Sequence, residues 1–160
     1  MLNWLKTLLG SQTSGGNPHI SAETIARADS LMAGGTEEVA GLNFKTAIDA
    51  HMKWKARLRA AIDGSSDEQL DPQLIALDNQ CLLGKWLHGP GGEKFGGYPR
   101  FKTLCAEHAR FHRSAAAVAQ LTQEKKIDEA KKEIEAGSYH DISLKVTGEL
   151  AALYVEISSK

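Results

Sequence analysis

Residues 98–118, "YPRFKTLCAEHARFHRSAAAV", decide how this chain folds. Phe101, Leu104, His108, Phe111, Ala115 and Val118 recur at steps of three and four, the spacing of one helical face. Pro99 suits a first helical position, where a missing N–H costs nothing. The long helix this predicts has counterparts on either side. Upstream, Phe44, Ile48, His51, Leu58 and Ile62 form a near-heptad that Gly64 should close in a left-handed conformation. Thr36 is the expected N-cap of that helix, with Glu37 and Glu38 near the positive end of its dipole. Downstream, "KKIDEAKKEIEAG" (125–137) reads as a charged helix ending at Gly137. A last helix runs from about His140 through Ile142, Val146, Leu150, Tyr154 and Ile157.

Shorter elements fill the gaps. Ser21 is positioned to cap "AETIARADSLM" (22–32), which Gly34-Gly35 interrupts. Asp71-Pro72 restarts the chain into a short helix through Leu74, Ile75 and Leu77, leading into "NQCLLGKWLHG" (79–89). "GPGGEKFGGYP" (89–99), dominated by glycine and proline, is expected to be a loop. No segment alternates with period two, so no strand is expected. The fold class that follows is all-α, an antiparallel four-helix bundle with additional short helices.

Chain organisation and totals narrow the function classes. Residues 1–18 read as a short amphipathic segment, with Leu2, Leu5, Leu8 and Leu9 on one side, followed by a flexible linker, "GSQTSGGNP". Residues 19–35 read as an accessory helix and 36–160 as the bundle. A formal charge of −1 with no single-sign block argues against nucleic acid as a partner. No apolar run is long enough for a transmembrane segment, and no secretory leader is evident. Two cysteines make no disulfide framework, so a cytoplasmic location is expected.

The chemistry lies in the histidines. His108 and His112, spaced i, i+4, place two imidazoles about 6 Å apart on one helix face, within reach of one metal ion. Cys105 shares that stripe, yet about 10.5 Å of helical rise separates it from His112. Side chains also lean toward the helix N-terminus, which carries the sulfur the wrong way. Cys105 therefore reads as a small core residue. Cys81, in "CLLGKW", is the alternative sulfur, and Gly84 one turn later would permit close approach by a neighbouring helix. His51, Cys81, His108 and His112 together supply three nitrogens and one sulfur, a full tetrahedral set for zinc. Six histidines can be grouped in many ways, so this tally is suggestive only. His88 is a reserve ligand, and His19 and His140 read as surface residues. Asp49 or Glu107 could accept a hydrogen bond from a ligating imidazole.

Three blocks, "AHMKWK" around His51, "CLLGKW" around Cys81 and "HARFH" at 108–112, occur in order, with "YPRF" just ahead of the third. In these the sequence resembles the chemoreceptor zinc-binding domain family, over about residues 40 to 155. The resemblance implies that His51, Cys81, His108 and His112 bind Zn2+ within a cytoplasmic helical bundle that commonly dimerises. It also implies a regulatory role, in zinc-dependent control or in sensing hypochlorous acid and related oxidants, beside chemoreceptor or cyclase signalling regions. Neither a signalling coiled coil nor a cyclase sequence is present here, so such a module would act on a partner in trans. Catalysis is not expected. Four protein ligands leave no open position for water, and Ala109 stands where an H-E-x-x-H motif has glutamate. A bundle merely stapled by structural zinc, serving as an interaction or dimerisation domain, is the competing reading.

Overall fold

The computed structural model describes residues 19–34 and 38–159. The expected amphipathic segment and linker at 1–18, and the Thr36 cap with Glu37, lie outside the described residues. What is described is mostly helical: α1 (Ala22–Ala33), α2 (Phe44–Asp63), α3 (Pro72–Ile75), α4 (Leu82–Leu87), α5 (Pro90–Phe95), α6 (Pro99–Gln123), α7 (Ile127–Ala136) and α8 (Ser138–Ser158).

Local chemistry sets most boundaries as the sequence suggests. Ser21 Oγ accepts from Thr24 N–H at 3.1 Å to start α1, and Asp71 Oδ1 accepts from Gln73 N–H at 2.8 Å to start α3. Gly64 ends α2 at φ 68°, where a side chain would be strained.

Two expectations fail. The second long helix does not begin near Thr36. Glu38–Val39 and Leu42–Asn43 pair as a small antiparallel hairpin, β1 and β2, and α2 starts only at Phe44. Ala40 and Gly41 take φ 50° and 80°, which fits a two-residue turn and not a helix. Asn43, not Thr36, caps α2, its Oδ1 accepting from Thr46 N–H at 2.8 Å. The hairpin also serves the core, because its Val39 and Ala40 carbonyls both accept from Trp86 Nε1 at 3.1 Å.

The second failure is the 89–99 loop, within which Pro90–Phe95 forms α5. Pro90 starts the helix without needing a donor, and a Cβ on Gly91 would stand 2.4 Å from the Trp86 ring. Glycine here lets a helical turn lie against the indole, where isolated Gly and Pro counts suggested only breakage.

α8 is the central element. Phe44 meets Tyr154 near one end of α2, while His51, Met52 and Lys55 face Tyr139, His140 and Ser143 further along. On the α6 side, Arg100 pairs with Glu149, Glu107 with Lys145, and Phe111 with Tyr139. Thus α2 and α6 run in the same sense, each opposed to α8. α1 also packs on α8, and Arg27 Nη2 donates to Ser159 Oγ at 2.9 Å. α7 covers the far end of α2, where Lys131 and Glu135 reach Asp63 and Arg59.

Ile48, Leu58, Leu104, Phe111, Leu150, Leu153 and Tyr154 are buried at the centre. Each such side chain contributes about 1.5–3 kcal/mol on burial. No described helix is long and apolar enough to cross a membrane.

Candidate metal centre

The apolar faces of α2 and α6 each carry histidine where hydrophobic packing would otherwise continue. His51, His108 and His112 are 4%, 0% and 4% exposed, so the core must satisfy them without water. It does so only in part. His51 Nδ1 donates to the Ala47 carbonyl at 2.7 Å, and His112 Nδ1 donates to the Ile75 carbonyl at 2.7 Å. Their Nε2 atoms, and Nδ1 of His108, are buried with no hydrogen-bond partner. Leaving a buried polar atom unpaired costs about 1–3 kcal/mol, so three together need an explanation.

The explanation lies in a fourth side chain. Cys81 sits immediately before α4 as its N-cap, and its Sγ accepts from Gly84 N–H at 3.2 Å. That sulfur is 3.3 Å from His108 Nε2. One ligand-type atom from each of His51, Cys81, His108 and His112 lies within 4.8 Å of the others, a span that one metal ion can bridge. One nitrogen of each ring thus gathers about the sulfur; in His108 the atom in contact with it is Nε2, and the unpaired Nδ1 is the other nitrogen of that ring. The donor set, three neutral nitrogens and a thiol, suits zinc.

Electrostatics points the same way. Burial first, then the charge of His112, pulls His51 down to about 4, against the bond to Ala47. Burial and the neighbouring histidines pull His108 to about 2, and burial lowers His112 as well. All three rings are neutral at pH 7, the form in which imidazole binds metal. Cys81 behaves differently. Burial pushes its thiol up and Asp78 adds to this, against backbone N–H groups from Gly84 and Leu83. The protein alone keeps this sulfur protonated at neutral pH.

Several expectations change at the site. Cys105 is outside the four-residue cluster, half-buried against the core. His88 is also outside, its Nε2 3.1 Å from Asp78 Oδ2 on the surface. Gly84 does permit a close approach, but by the preceding turn, not a neighbouring helix. A Cβ there would fall 1.7 Å from the Asp78 carbonyl oxygen. Glu107 orients no imidazole. Its buried carboxylate takes Lys145 at 2.9 Å and Arg110 at 3.2 Å, tying α6 to α8. The orienting partners are the Ala47 and Ile75 carbonyls instead of Asp49 or Glu107, and backbone oxygens leave no mark in a sequence. His140 is half-buried and lines a small cavity with His51, Tyr139, Ser143 and Thr147. His19 is exposed, as expected.

Compared with known families, residues 51–119 match the chemoreceptor zinc-binding domain. Over that stretch the match directly supports the family resemblance. The matched stretch opens on His51 and contains Cys81, His108 and His112. No curated protein and no solved structure gives a match. The chemoreceptor zinc-binding domain is a regulatory family and not a known family of enzymes. The match and the converging His/Cys/His/His set together fit a zinc-binding module.

Proposed function

We propose that this chain is a zinc-dependent regulatory module whose sensing atom is the Cys81 sulfur. The observation that carries the reading is the gathering of three buried imidazoles and one thiol within reach of a single ion, with Nε2 of His51 and of His112 unpaired. His51, Cys81, His108 and His112 would hold one Zn2+ with no position left for water. When bound, zinc supplies the charge that keeps the Cys81 sulfur a thiolate at neutral pH.

Access favours sulfur as the reporter. The three histidines are buried, whereas Cys81 is half-buried in a surface groove that it lines with Trp54, Leu74, Leu77, Gln80 and the edge of His112. An oxidant from solvent meets the sulfur before the rings. Hypochlorous acid is the class proposed, because a thiolate attacks electrophilic chlorine readily. Oxidation removes one of four ligands and frees the segment that carries it. That segment holds Leu74, Leu77 and Leu82, which are 64%, 46% and 65% exposed. An apolar edge of this kind favours a protein partner, either a second copy or a signalling protein acting in trans in the cytoplasm.

We read the helices as a four-helix bundle of α2, α6 and α8, the fourth place shared between α1 and α7. A module that responds to zinc concentration uses the same site, and metal affinity separates it from an oxidant sensor. Purely structural zinc would staple the same helices without responding to oxidant. The deciding measurement is zinc content alongside peptide mass spectrometry after brief hypochlorous acid exposure. Wild type and Cys105→Ala are expected to carry one equivalent of zinc, and Cys81→Ala to lose at least tenfold in affinity. Cys81 should oxidise before Cys105. Full zinc retention in Cys81→Ala, or Cys105 oxidised first, overturns the reading.

A further inference from the structure

We propose that Cys105 resolves oxidised Cys81 by forming an intramolecular disulfide between α6 and the turn ahead of α4. The inference rests on the reading of Cys81 as the oxidant-sensing sulfur.

The chain has two cysteines, and both are free and half-buried. Cys105 precedes His108 by three residues, so their Cβ atoms are neighbours about 5–6 Å apart on α6. Helical side chains lie over the turn on their N-terminal side, which places the His108 ring above the turn that holds Cys105. The Cys81 sulfur contacts that ring at 3.3 Å. It is therefore held over the same turn of α6 from the opposite wall. Asp78 gives an independent fix. Its carbonyl oxygen is 4.0 Å from Cys81 Sγ, and its carboxylate acts on Cys81 and Cys105 alike.

Mobility is divided suitably for closure. Cys81 lies outside regular helix, with φ −78° and ψ 165°, so its sulfur can shift without breaking a helical ladder. Cys105 is fixed within the long helix α6. Because Cys105 stands outside the four-residue cluster, its thiol is not consumed by the metal site.

The chemistry balances in two steps. The Cys81 thiolate attacks the chlorine of hypochlorous acid, releasing hydroxide, and water displaces chloride from the resulting sulfenyl chloride to give the sulfenic acid; sulfur loses two electrons and chlorine gains them. The Cys105 sulfur then attacks the Cys81 sulfur. An S–S bond forms, the S–O bond breaks, and hydroxide leaves with the Cys105 proton as water. The product is reducible by a dithiol, so the response is reset instead of passing on to sulfinic acid.

The test uses the zinc-loaded full chain, a stoichiometric dose of hypochlorous acid, and alkylation of remaining thiols under denaturing conditions. Most of the oxidised wild type should be lighter by two hydrogens and inaccessible to alkylation. A tryptic cross-link should join the peptide 60–85 to Thr103–Arg110, and dithiothreitol should reverse it. Cys105→Ser should instead accumulate Cys81 sulfenic acid, trapped by dimedone, and then sulfinic acid. Wild type behaving like Cys105→Ser, or cross-linking only between chains, overturns the inference and leaves the sensor reading standing. Cys81 remaining a thiol while zinc stays bound overturns both.

Discussion

At the scale of single residues, the site is three imidazoles that the fold keeps neutral and one thiol that it keeps protonated. For His51 the folded pKa, about 4, lies below the ordinary value of 6.5. Between those values the unfolded chain binds more protons than the folded one. Stability of the metal-free protein must therefore fall as pH drops from about 6.5 toward 4, and level off above 6.5. Urea denaturation of chelator-treated protein across that range should show this slope, and His51→Leu should make it shallower, His108 and His112 supplying the remainder. The same variant should be at least as stable as metal-free wild type at pH 7, because it removes an orphaned buried nitrogen. It should nevertheless fail to bind zinc. A slope unchanged in His51→Leu would show that His51 takes no part in the acid sensitivity.

At the scale of elements, the sulfur is aimed by a turn packed against a glycine. Gly84 lets the Asp78 carbonyl pass where a Cβ would sit at 1.7 Å, and the Gly84 N–H holds the sulfur. Gly84→Ala must push this turn aside. A loss of about 1–3 kcal/mol is expected from overpacking, together with weaker zinc binding. Gly97→Ala is the control, since a Cβ there meets nothing within 4 Å. Thermal unfolding and a zinc competition titration would check both, and equal behaviour of the two variants would refute the account. Elements differ in how plainly the sequence shows them. α6 and α8 declare themselves by long apolar faces, and α1 and α3 by polar caps. α5 does not, because its glycines are chosen for contact with Trp86 and look like breakers when counted alone. The β1–β2 hairpin is equally hidden, with Ala40 in a conformation its residue type does not advertise.

Across the whole molecule, the four-residue cluster joins α2, α6 and the α3–α4 segment, with His51 also facing α8. His112 reaches the Ile75 carbonyl and His108 reaches Cys81, so residues 75–81 are tied to α6 through the cluster, while Leu83, Trp86 and Leu87 hold α4 in the core. The C-terminal half of α8, with Leu150, Leu153 and Tyr154 fully buried, is held by apolar packing. Metal removal should therefore raise hydrogen exchange across residues 75–81 by tenfold or more, with far smaller change at 150–154. A uniform increase over the chain would mean that the metal secures global folding and does not control one segment.

The sequence by itself determined where most helices start and stop, which faces are apolar, and that His108 and His112 share a stripe. These follow from caps, proline, glycine and the 3.6-residue period, all local properties of the chain. The sequence motifs also single out Cys81 over Cys105, but only the tertiary structure brings that sulfur to the rings, because residues 27 positions apart meet through turns that no periodicity encodes. It also decided that the Ala47 and Ile75 carbonyls orient the imidazoles, since every residue carries a carbonyl and none is marked for the task. Through the same packing Cys105 came to lie beside the site while staying outside the four-residue cluster.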